Sequence, residues 1–336
     1  MAKDGPIFII GAMGSGTTLL RLMLDSHENI AIPHETGFMR SYRAMEFIPF
    51  KWTGYNWTKR LGWSKEERDR ELAALYDRFF SRYAEQQGAR RWGEKTPLHT
   101  WHVGAMKRLF PDAVFVAMVR HPAASTSSNV RRFGQDVRWG TVHYERYSRE
   151  VARVAAKYPR RFVVVRYEDL VTQTEPVMRE LLAWLGEPWS ESVLQHHVVQ
   201  GERGHDRVEG MTRPDDAVDA SRIAGWVATT DRFTKRVVRQ RLAEIGEFWG
   251  YSMDDPQALA PLNERGSPVT TGREVAARIR RFPQLDLRTR PPVPIFDQHY
   301  SPRRVWLVRN ETGEPHQPPL TRRRRAADAV ARRLPF

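Results

Sequence analysis

Residues 6–21 read PIFIIGAMGSGTTLLR, and this stretch decides the fold. It begins with an apolar run at 7–10 that is short enough to form one buried β-strand. A turn containing three glycines follows, and apolar residues then recur at helical spacing over 19–24. A strand, a glycine loop and a helix in this order predict an anion-binding cradle. Successive backbone N–H groups and the positive helix N-terminus would point into one concavity.

The spacing of the glycines limits the kinds of phosphate-binding site that the loop could form. Gly11 and Gly16 are separated as in a Walker A loop, but Thr17 stands where that motif requires a lysine. Ser15 and Thr18 add hydroxyl groups that an ordinary strand–helix turn would not need. The loop is therefore predicted to be a relative of the P-loop that lacks the lysine used on a terminal nucleotide phosphate.

The run from Ser15 to Thr18 after an apolar strand resembles the 5′-phosphosulfate loop of sulfotransferases that use 3′-phosphoadenosine 5′-phosphosulfate (PAPS). The continuation to Glu35 is similar to the tyrosylprotein sulfotransferases and their bacterial relatives. Those enzymes usually carry Lys or Arg where this chain has Gly14. The resemblance implies PAPS as donor co-substrate, held by Gly14, Ser15, Gly16, Thr17 and Thr18. It also implies an α/β fold, a P-loop-like three-layer sandwich with a mainly parallel central sheet flanked by helices and an irregular C-terminal extension.

Further residues match the donor site of the same family. Arg120 follows the most apolar strand candidate, and Ser128 lies eight residues later, as in the family's Arg-x7-Ser site for the 3′-phosphate. An arginine offers a planar fork of donors that suits phosphate. The resemblance also places Tyr167 near the adenine, and Thr212 and Arg213 in a late element that closes on the 3′-phosphate.

Two residues are candidates for the chemistry of transfer. Glu35 follows a short apolar strand, in the position of the family's general base, with the adjacent His34 as the competing base. Lys95 lies in a segment that we read as a loop before a helix beginning at Pro97, and it matches the lysine that contacts the transferring group. No His or carboxylate cluster demands a metal, so none is expected.

Composition limits the organisation of the chain. It has 336 residues, no cysteine and a formal net charge of +14. Most of this excess lies beyond residue 255, where 16 Arg accompany 7 acidic residues. We therefore predict a sulfotransferase-like catalytic domain over 1–255 and a largely disordered, Pro/Arg-rich basic tail over 256–336. The lack of cysteine and of a recognisable leader or apolar span leads us to expect a cytoplasmic protein.

The function expected is sulfuryl transfer from PAPS to a hydroxyl group, with an amine as second choice, on a small-molecule or peptide acceptor. Two alternatives stay open, a P-loop small-molecule kinase and a non-catalytic nucleotide-binding protein. No specific nucleic acid partner is expected, although a basic tail suits contact with an anionic surface. The aromatic segment 37–63 fits an acceptor-facing wall or ordinary core packing equally well. The oligomeric state is left open.

Overall fold

The computed structural model describes residues 4–45, 62–134, 136–203, 215–255 and 257–288. Within these ranges the strands form one six-stranded sheet in the order β2-β3-β1-β4-β5-β6. Strands β2, β3, β1, β4 and β5 run parallel, and β6 pairs with β5 in the antiparallel direction. Their bounds are β1 Ile7–Gly11, β2 Ile30–Ala31, β3 Arg91–Lys95, β4 Val114–Val119, β5 Phe162–Arg166 and β6 Val269–Thr271. The mainly parallel sheet of the predicted α/β fold is confirmed.

Helices connect and cover these strands. Among the described helices, none combines the length and apolar character needed to cross a membrane. Short 3₁₀ helices span Pro97–His102, Glu191–Val193 and Ala220–Ile223. The α-helices are α1 Thr17–Asp25, α2 Met39–Met45, α3 Lys65–Gln86, α4 Val103–Leu109, α5 Pro122–Phe133, α6 Val137–Lys157, α7 Tyr167–Thr172, α8 Thr174–Leu185, α9 His196–Glu202, α10 Gly225–Thr229, α11 Arg232–Phe248 and α12 Gly272–Arg281.

The alternation of side chains along β1 builds two separate cores. Ile7 and Ile9 point to one face of the sheet, where they pack with the apolar residues of α1 and α8. Phe8 and Ile10 point to the opposite face, where α3, α4 and α6 supply the partners. Because successive strand residues face opposite sides, a wholly apolar strand requires a layer of helices on each face. The result is the three-layer sandwich that the sequence predicts.

Two local assignments differ from the sequence-based expectation. Residues 91–95, which we read as a loop, form the buried strand β3 between β1 and β2. The charged side chains of this strand are buried with ionic partners, so its sequence lacks the apolar pattern of a central strand. Strand β5 ends at Arg166, and Tyr167 begins helix α7 instead of continuing the strand.

The compact unit ends later than predicted. The chain divides into units after Thr289, and the first unit contains all of the described residues. Strand β6 and helix α12 therefore lie within the folded unit, although both follow the boundary that we expected at residue 255. Val275 of α12 is fully buried against the core, and Leu285 is nearly so. The nearby prolines and the three-residue length of β6 conceal these elements in the sequence.

Truncation after residue 255 is expected to destroy cooperative folding, whereas truncation after residue 289 should preserve it. The shorter chain loses β6 and the buried side chains Val269, Val275 and Leu285. Each buried apolar side chain contributes about 2 kcal/mol, so their joint loss approaches the whole stability of a typical domain. Urea unfolding followed by circular dichroism measures the difference. If the 1–255 chain unfolds cooperatively at the same urea midpoint, the folded domain ends at residue 255 as first expected.

Three buried histidines predict instability in acid. Burial lowers the pKa of His121 and of His196 to about 4, and that of His143 to about 3. The unfolded chain binds these protons near pH 6.5, so the unfolded state gains protons first as the pH falls. Between pH 7 and pH 5 each histidine should cost roughly 2 kcal/mol of stability, and together on the order of 5 kcal/mol. Urea midpoints at pH 7, 6 and 5 test this, and a flat profile would contradict it. His143→Gln should remove about a third of the slope.

Candidate functional site

The carboxyl ends of four neighbouring strands meet at one edge of the sheet. Strand β1 ends at Gly11, where the glycine loop of residues 11–18 begins. Strand β3 ends at Lys95, and Arg120 and Tyr167 directly follow β4 and β5. In open α/β sheets the carboxyl edge is where ligands bind. The parallel strand order therefore brings most of the predicted site residues to a single place.

The loop holds its shape through its own hydrogen bonds and two left-handed glycines. The N–H and Oγ of Ser15 both donate to the carbonyl oxygen of Ala12, at 3.2 and 2.6 Å. The hydroxyl of Ser15 is thus committed to closing the loop. Gly16 caps helix α1 with a φ of 94° and has no room for a Cβ, which would overlap the ring of Tyr167. Thr17 begins the helix, so its N–H lies at the positive helix end.

Gly14 is required by the backbone. Its φ is +79°, and a Cβ at this position would lie 3.1 Å from the carbonyl oxygen of Ser125 and 3.2 Å from Oδ1 of Asn129. The side chains of Ser125 and Asn129 in turn donate to the carbonyl oxygen of Met13, at 3.1 and 2.9 Å. Helix α5 therefore holds this part of the loop closely. A basic residue at position 14 would therefore be strained here.

Arg120 joins the loop to two other parts of the site. Its guanidinium donates to the carbonyl oxygens of Gly14, at 3.2 Å, and of Arg222, at 2.9 Å. The same group lies 4.1 Å from the ring centre of Tyr167, in cation–π geometry. Its Nε is buried without a hydrogen bond to any residue that the structure describes. Ser128 is half-buried, and its Cβ borders the space beside Gly14.

Arg120, Ser128, Tyr167 and the loop thus come together, as the resemblance implies. Thr212 and Arg213 lie outside the described residues. Burial raises the pKa of Tyr167, although the nearby charge of Arg120 acts in the opposite direction. The ring is therefore a neutral face beside a fixed guanidinium, an arrangement that suits a planar base next to a phosphate.

Lys95 connects the loop to the predicted base. Its ammonium donates to Oγ1 of Thr18 at 3.2 Å and forms a short ion pair with the carboxylate of Glu35. The lysine side chain is only 2% exposed, while that of Glu35 is 38% exposed. Burial lowers the pKa of Lys95, and the charge of Glu35 opposes this shift. A buried cation therefore lies between the glycine loop and a carboxylate that solvent can reach.

Comparison with known proteins identifies the family. A sequence model described as the sulfotransferase family matches residues 6–191, more than half of the chain. The chain belongs to the sulfotransferase family.

Relatives of this sulfotransferase include protein-tyrosine sulfotransferase 1 of Danio rerio, 27% identical over 306 residues that cover 84% of this chain and 81% of the relative. Protein-tyrosine sulfotransferase 2 of Gallus gallus is 29% identical, with 79% of this chain and 70% of the relative covered. The solved sulfotransferase domain from the Synechococcus PCC 7002 olefin synthase shares the fold, with a TM-score of 0.54 at 19% identity. That match covers 74% of this chain and 94% of the domain.

Family membership decides between the functions left open by the sequence. The protein is an enzyme, and the reaction that the family supports is transfer of a sulfuryl group to a hydroxyl acceptor. The small-molecule kinase and the non-catalytic nucleotide-binding protein are disfavoured. In the parts of the chain that the structure describes, no group of three or more His, Asp or Glu side chains is arranged to hold a metal ion.

Three side chains of the sulfotransferase site escaped the sequence analysis. Arg21 of α1, Arg132 of α5 and Tyr147 of α6 all lie within electrostatic reach of Glu35. Burial lowers the pKa of both arginines. The charge of Asp25 is the main opposing influence at Arg21, and the charge of Glu35 opposes the shift at Arg132. Burial raises the pKa of Tyr147, so this phenol stays neutral. Helical spacing was the available signal for Arg132, which lies one turn beyond Ser128 on the helix that packs against the loop.

Proposed function

We propose that the donor of this sulfotransferase is PAPS and that Glu35 and Lys95 carry the chemistry. The observation that supports this most strongly is the contact of Lys95 with both Thr18 and Glu35. One cation thereby touches the loop that would hold the donor and the carboxylate that would receive the acceptor proton. The two requirements of transfer, stabilising a leaving group and activating a nucleophile, meet within one pair of hydrogen bonds.

The donor would lie along the carboxyl edge of the sheet. Backbone N–H groups of the loop and the hydroxyls of Thr17 and Thr18 would hold the 5′-phosphosulfate at the positive end of α1. Arg120 and Ser128 would hold the 3′-phosphate, and Tyr167 would lie against the adenine. Thr212 and Arg213 remain predicted contributors to the 3′-phosphate site. The buried, unbonded Nε of Arg120 supports this placement, because a phosphate oxygen would satisfy it.

Transfer would follow from these positions. The acceptor oxygen attacks sulfur while the bond from sulfur to the bridging 5′-phosphate oxygen breaks, so 3′,5′-adenosine bisphosphate leaves. Glu35 takes the acceptor proton, and Lys95 stabilises the negative charge that develops on the bridging oxygen. Arg132 adds positive potential around the same centre, and Arg21, which pairs with Asp25, adds a smaller share. This distribution of charge would compensate for the glycine at position 14.

The acceptor proposed is a peptide tyrosine. Two relatives are named protein-tyrosine sulfotransferases, and each aligns with more than three quarters of this chain. Aromatic rings of Trp101 and Tyr147 meet edge to face at 5.3 Å, and Tyr147 lies within electrostatic reach of Glu35. A cytoplasmic location and an anionic contact for the tail remain proposals from composition alone.

The donor is tested by ligand-induced stabilisation and by product release. 3′,5′-Adenosine bisphosphate should raise the melting temperature more than ATP does at equal concentration, since a native-state ligand stabilises by mass action. With PAPS, a tyrosine-containing peptide should release the bisphosphate faster than the same peptide with phenylalanine. Equal shifts with both nucleotides would argue against PAPS. Equal rates of bisphosphate release with the tyrosine and phenylalanine peptides would argue against transfer to tyrosine.

Arg120→Ala should weaken bisphosphate binding about 10- to 100-fold, the scale of a lost charge-assisted hydrogen bond. Arg179→Ala is the matched control, because Arg179 also stacks on an aromatic ring, that of Trp189 at 3.9 Å, in a different part of the protein. Isothermal titration with the bisphosphate measures both dissociation constants. If the two variants bind alike, the 3′-phosphate site is elsewhere.

A further inference from the structure

The backbone after Glu35 is held by an unusual series of side-chain acceptors. The N–H and the hydroxyl of Thr36 both donate to Oε1 of Glu94, at 3.2 and 3.0 Å. The next N–H, of Gly37, donates to Oγ1 of Thr96 at 3.3 Å. The N–H of Phe38 donates back to Oγ1 of Thr36 at 3.3 Å. Since Thr96 itself donates to Oε1 of Glu94 at 2.6 Å, each of these bonds leads to one carboxylate.

A histidine completes the series. The N–H of Met39 donates to Nε2 of His99 at 3.4 Å, and Nδ1 of His99 lies 2.7 Å from Oε2 of Glu94. A ring nitrogen that accepts carries no proton, so the proton of this imidazole is assigned to Nδ1, the nitrogen beside Glu94. Four consecutive backbone N–H groups, those of residues 36–39, are thus tied directly or through one side chain to the same carboxylate.

Glu94 can serve all of these donors only as an anion. Its side chain is fully buried, and burial raises its pKa, but the contacts with His99, Thr96 and Thr36 outweigh that effect and leave the pKa below its ordinary value. Oε1 of Glu94 accepts three hydrogen bonds, and a buried network of this kind is rigid because each member fixes the direction of the next hydrogen bond. Residues 36–39, which follow Glu35, are therefore held rigidly by the network around Glu94.

The last two residues of strand β3, Glu94 and Lys95, hold different parts of the segment around Glu35. Glu94 lies beside Phe8 and Lys95 beside Ile9 in the parallel pairing of β3 with β1, so the two side chains point to opposite faces of the sheet. Glu94 holds the backbone next to Glu35, and Lys95 holds the carboxylate of Glu35 itself. The side chain of Glu35 is otherwise partly open to solvent. Its position thus depends on both neighbours in β3.

We propose that Glu94, together with His99, is the positioning residue for the general base Glu35. This inference rests on the proposed role of Glu35 in transfer. Glu94 touches neither donor nor acceptor in the arrangement proposed above and acts by fixing residues 36–39. Displacing a base by about 1 Å can cost on the order of 100-fold in rate. Loss of the Glu94 carboxylate should therefore slow turnover while leaving donor binding intact.

Glu94→Gln is the informative change. The amide oxygen can still accept from Thr36 and Thr96, but the amide N–H₂ would face the protonated Nδ1 of His99. Moving the imidazole proton to Nε2 would remove this clash, but the protonated Nε2 would then face the N–H of Met39. The substitution therefore disturbs the segment without changing the size of the buried side chain, and should lower single-turnover transfer from PAPS to a tyrosine peptide about 10- to 100-fold.

A double-mutant cycle separates positioning from general damage. If Glu94 acts through Glu35, adding Glu94→Gln to Glu35→Gln should produce no further loss of rate, because the base is already absent. A merely structural role would slow the Glu35→Gln enzyme by the same factor as the wild type. The dissociation constant of 3′,5′-adenosine bisphosphate should stay within about twofold in each variant, which shows that the donor site is intact.

Two further changes keep the test decisive if Glu94→Gln folds poorly. Thr36 is exposed, so Thr36→Ala should fold and slow transfer, while Thr36→Ser retains the hydroxyl and should restore the rate. Glu187→Gln is the matched control, since Glu187 is a buried carboxylate that pairs with Arg91 at the opposite end of β3. It should lower the melting temperature without slowing transfer.

The outcomes distinguish this inference from the function on which it rests. Additive losses in the cycle, or equal rates for Thr36→Ala and Thr36→Ser, would overturn the positioning role while transfer by the wild type stands. A wild-type chain that binds the bisphosphate but transfers nothing to the tyrosine peptide would instead overturn the proposed acceptor. Loss of bisphosphate binding in wild type would overturn the proposed donor.

Discussion

Glu35→Gln is expected to lower single-turnover sulfuryl transfer by about 10²- to 10⁴-fold, the usual contribution of a general base. The amide preserves the shape of the side chain and can still accept a hydrogen bond from Lys95, but it cannot take a proton from the acceptor. Binding of 3′,5′-adenosine bisphosphate should change little, because the contacts of Thr18 with Lys95 and of Gly14 with Arg120 do not involve Glu35. Rapid-quench measurements with saturating PAPS and a tyrosine peptide give the rate.

His34→Asn is the control for this prediction. His34 is exposed and adjacent to Glu35, and its ordinary pKa near neutrality makes it the rival base. The contacts of the neighbouring carboxylate with Lys95 favour Glu35. If Glu35→Gln keeps the full rate of transfer while His34→Asn abolishes it, the general base is His34 and not Glu35.

Lys95→Met is expected to be at least as damaging as Glu35→Gln, with a loss of about 10³-fold or more. Methionine keeps the apolar stem buried but removes the ammonium that links Thr18 to Glu35. Gly14 cannot be replaced by a basic residue without backbone strain, so no loop side chain takes over this charge. Leaving-group stabilisation and the position of the base should therefore fail together.

The same rapid-quench assay measures this loss, with the melting temperature recorded alongside because Lys95 is buried. Lys107→Met is a suitable control, since Lys107 is a half-buried lysine in the last turn of α4 and is not among the residues of the proposed site. Near-normal transfer by a folded Lys95→Met protein would show that Arg21 or Arg132 supplies the charge instead. The double variant Lys95→Met/Arg132→Met would then lose the activity that the single variant keeps.

Local signals in the sequence were sufficient for much of the fold. The strand, glycine loop and helix at 7–25 form as the apolar pattern indicates. Ser64 and Glu67 have the Ser-x-x-Glu spacing of a capping box and form one at the start of α3, with reciprocal hydrogen bonds of 3.1 and 2.7 Å. Arg120 and Ser128 lie beside Gly14 because a strand end and the next helix bring them there.

Features that depend on distant partners could not be predicted in this way. Strand β3 carries buried charges whose partners, Glu35 and Glu187, are far away in the chain, so its pattern resembles that of a loop. The resemblance to the sulfotransferases indicated Glu35 and Lys95 as separate site residues, but only the structure shows that they form an ion pair. Glu94 passed unnoticed because its partner Thr36 lies 58 residues away in the chain, and residue types alone do not show that the two will meet.

The antiparallel strand β6 also has a consequence for biosynthesis. The strands β1 to β5 are all translated before β6, more than a hundred residues earlier for β5. Until β6 leaves the ribosome, the outer edge of β5, with its run of three valines, offers unpaired backbone groups to any other nascent chain. Of the strands that the structure describes, β6 is made last, and it pairs with this edge. Premature termination ahead of Val269 should therefore produce a chain that aggregates instead of a smaller active enzyme.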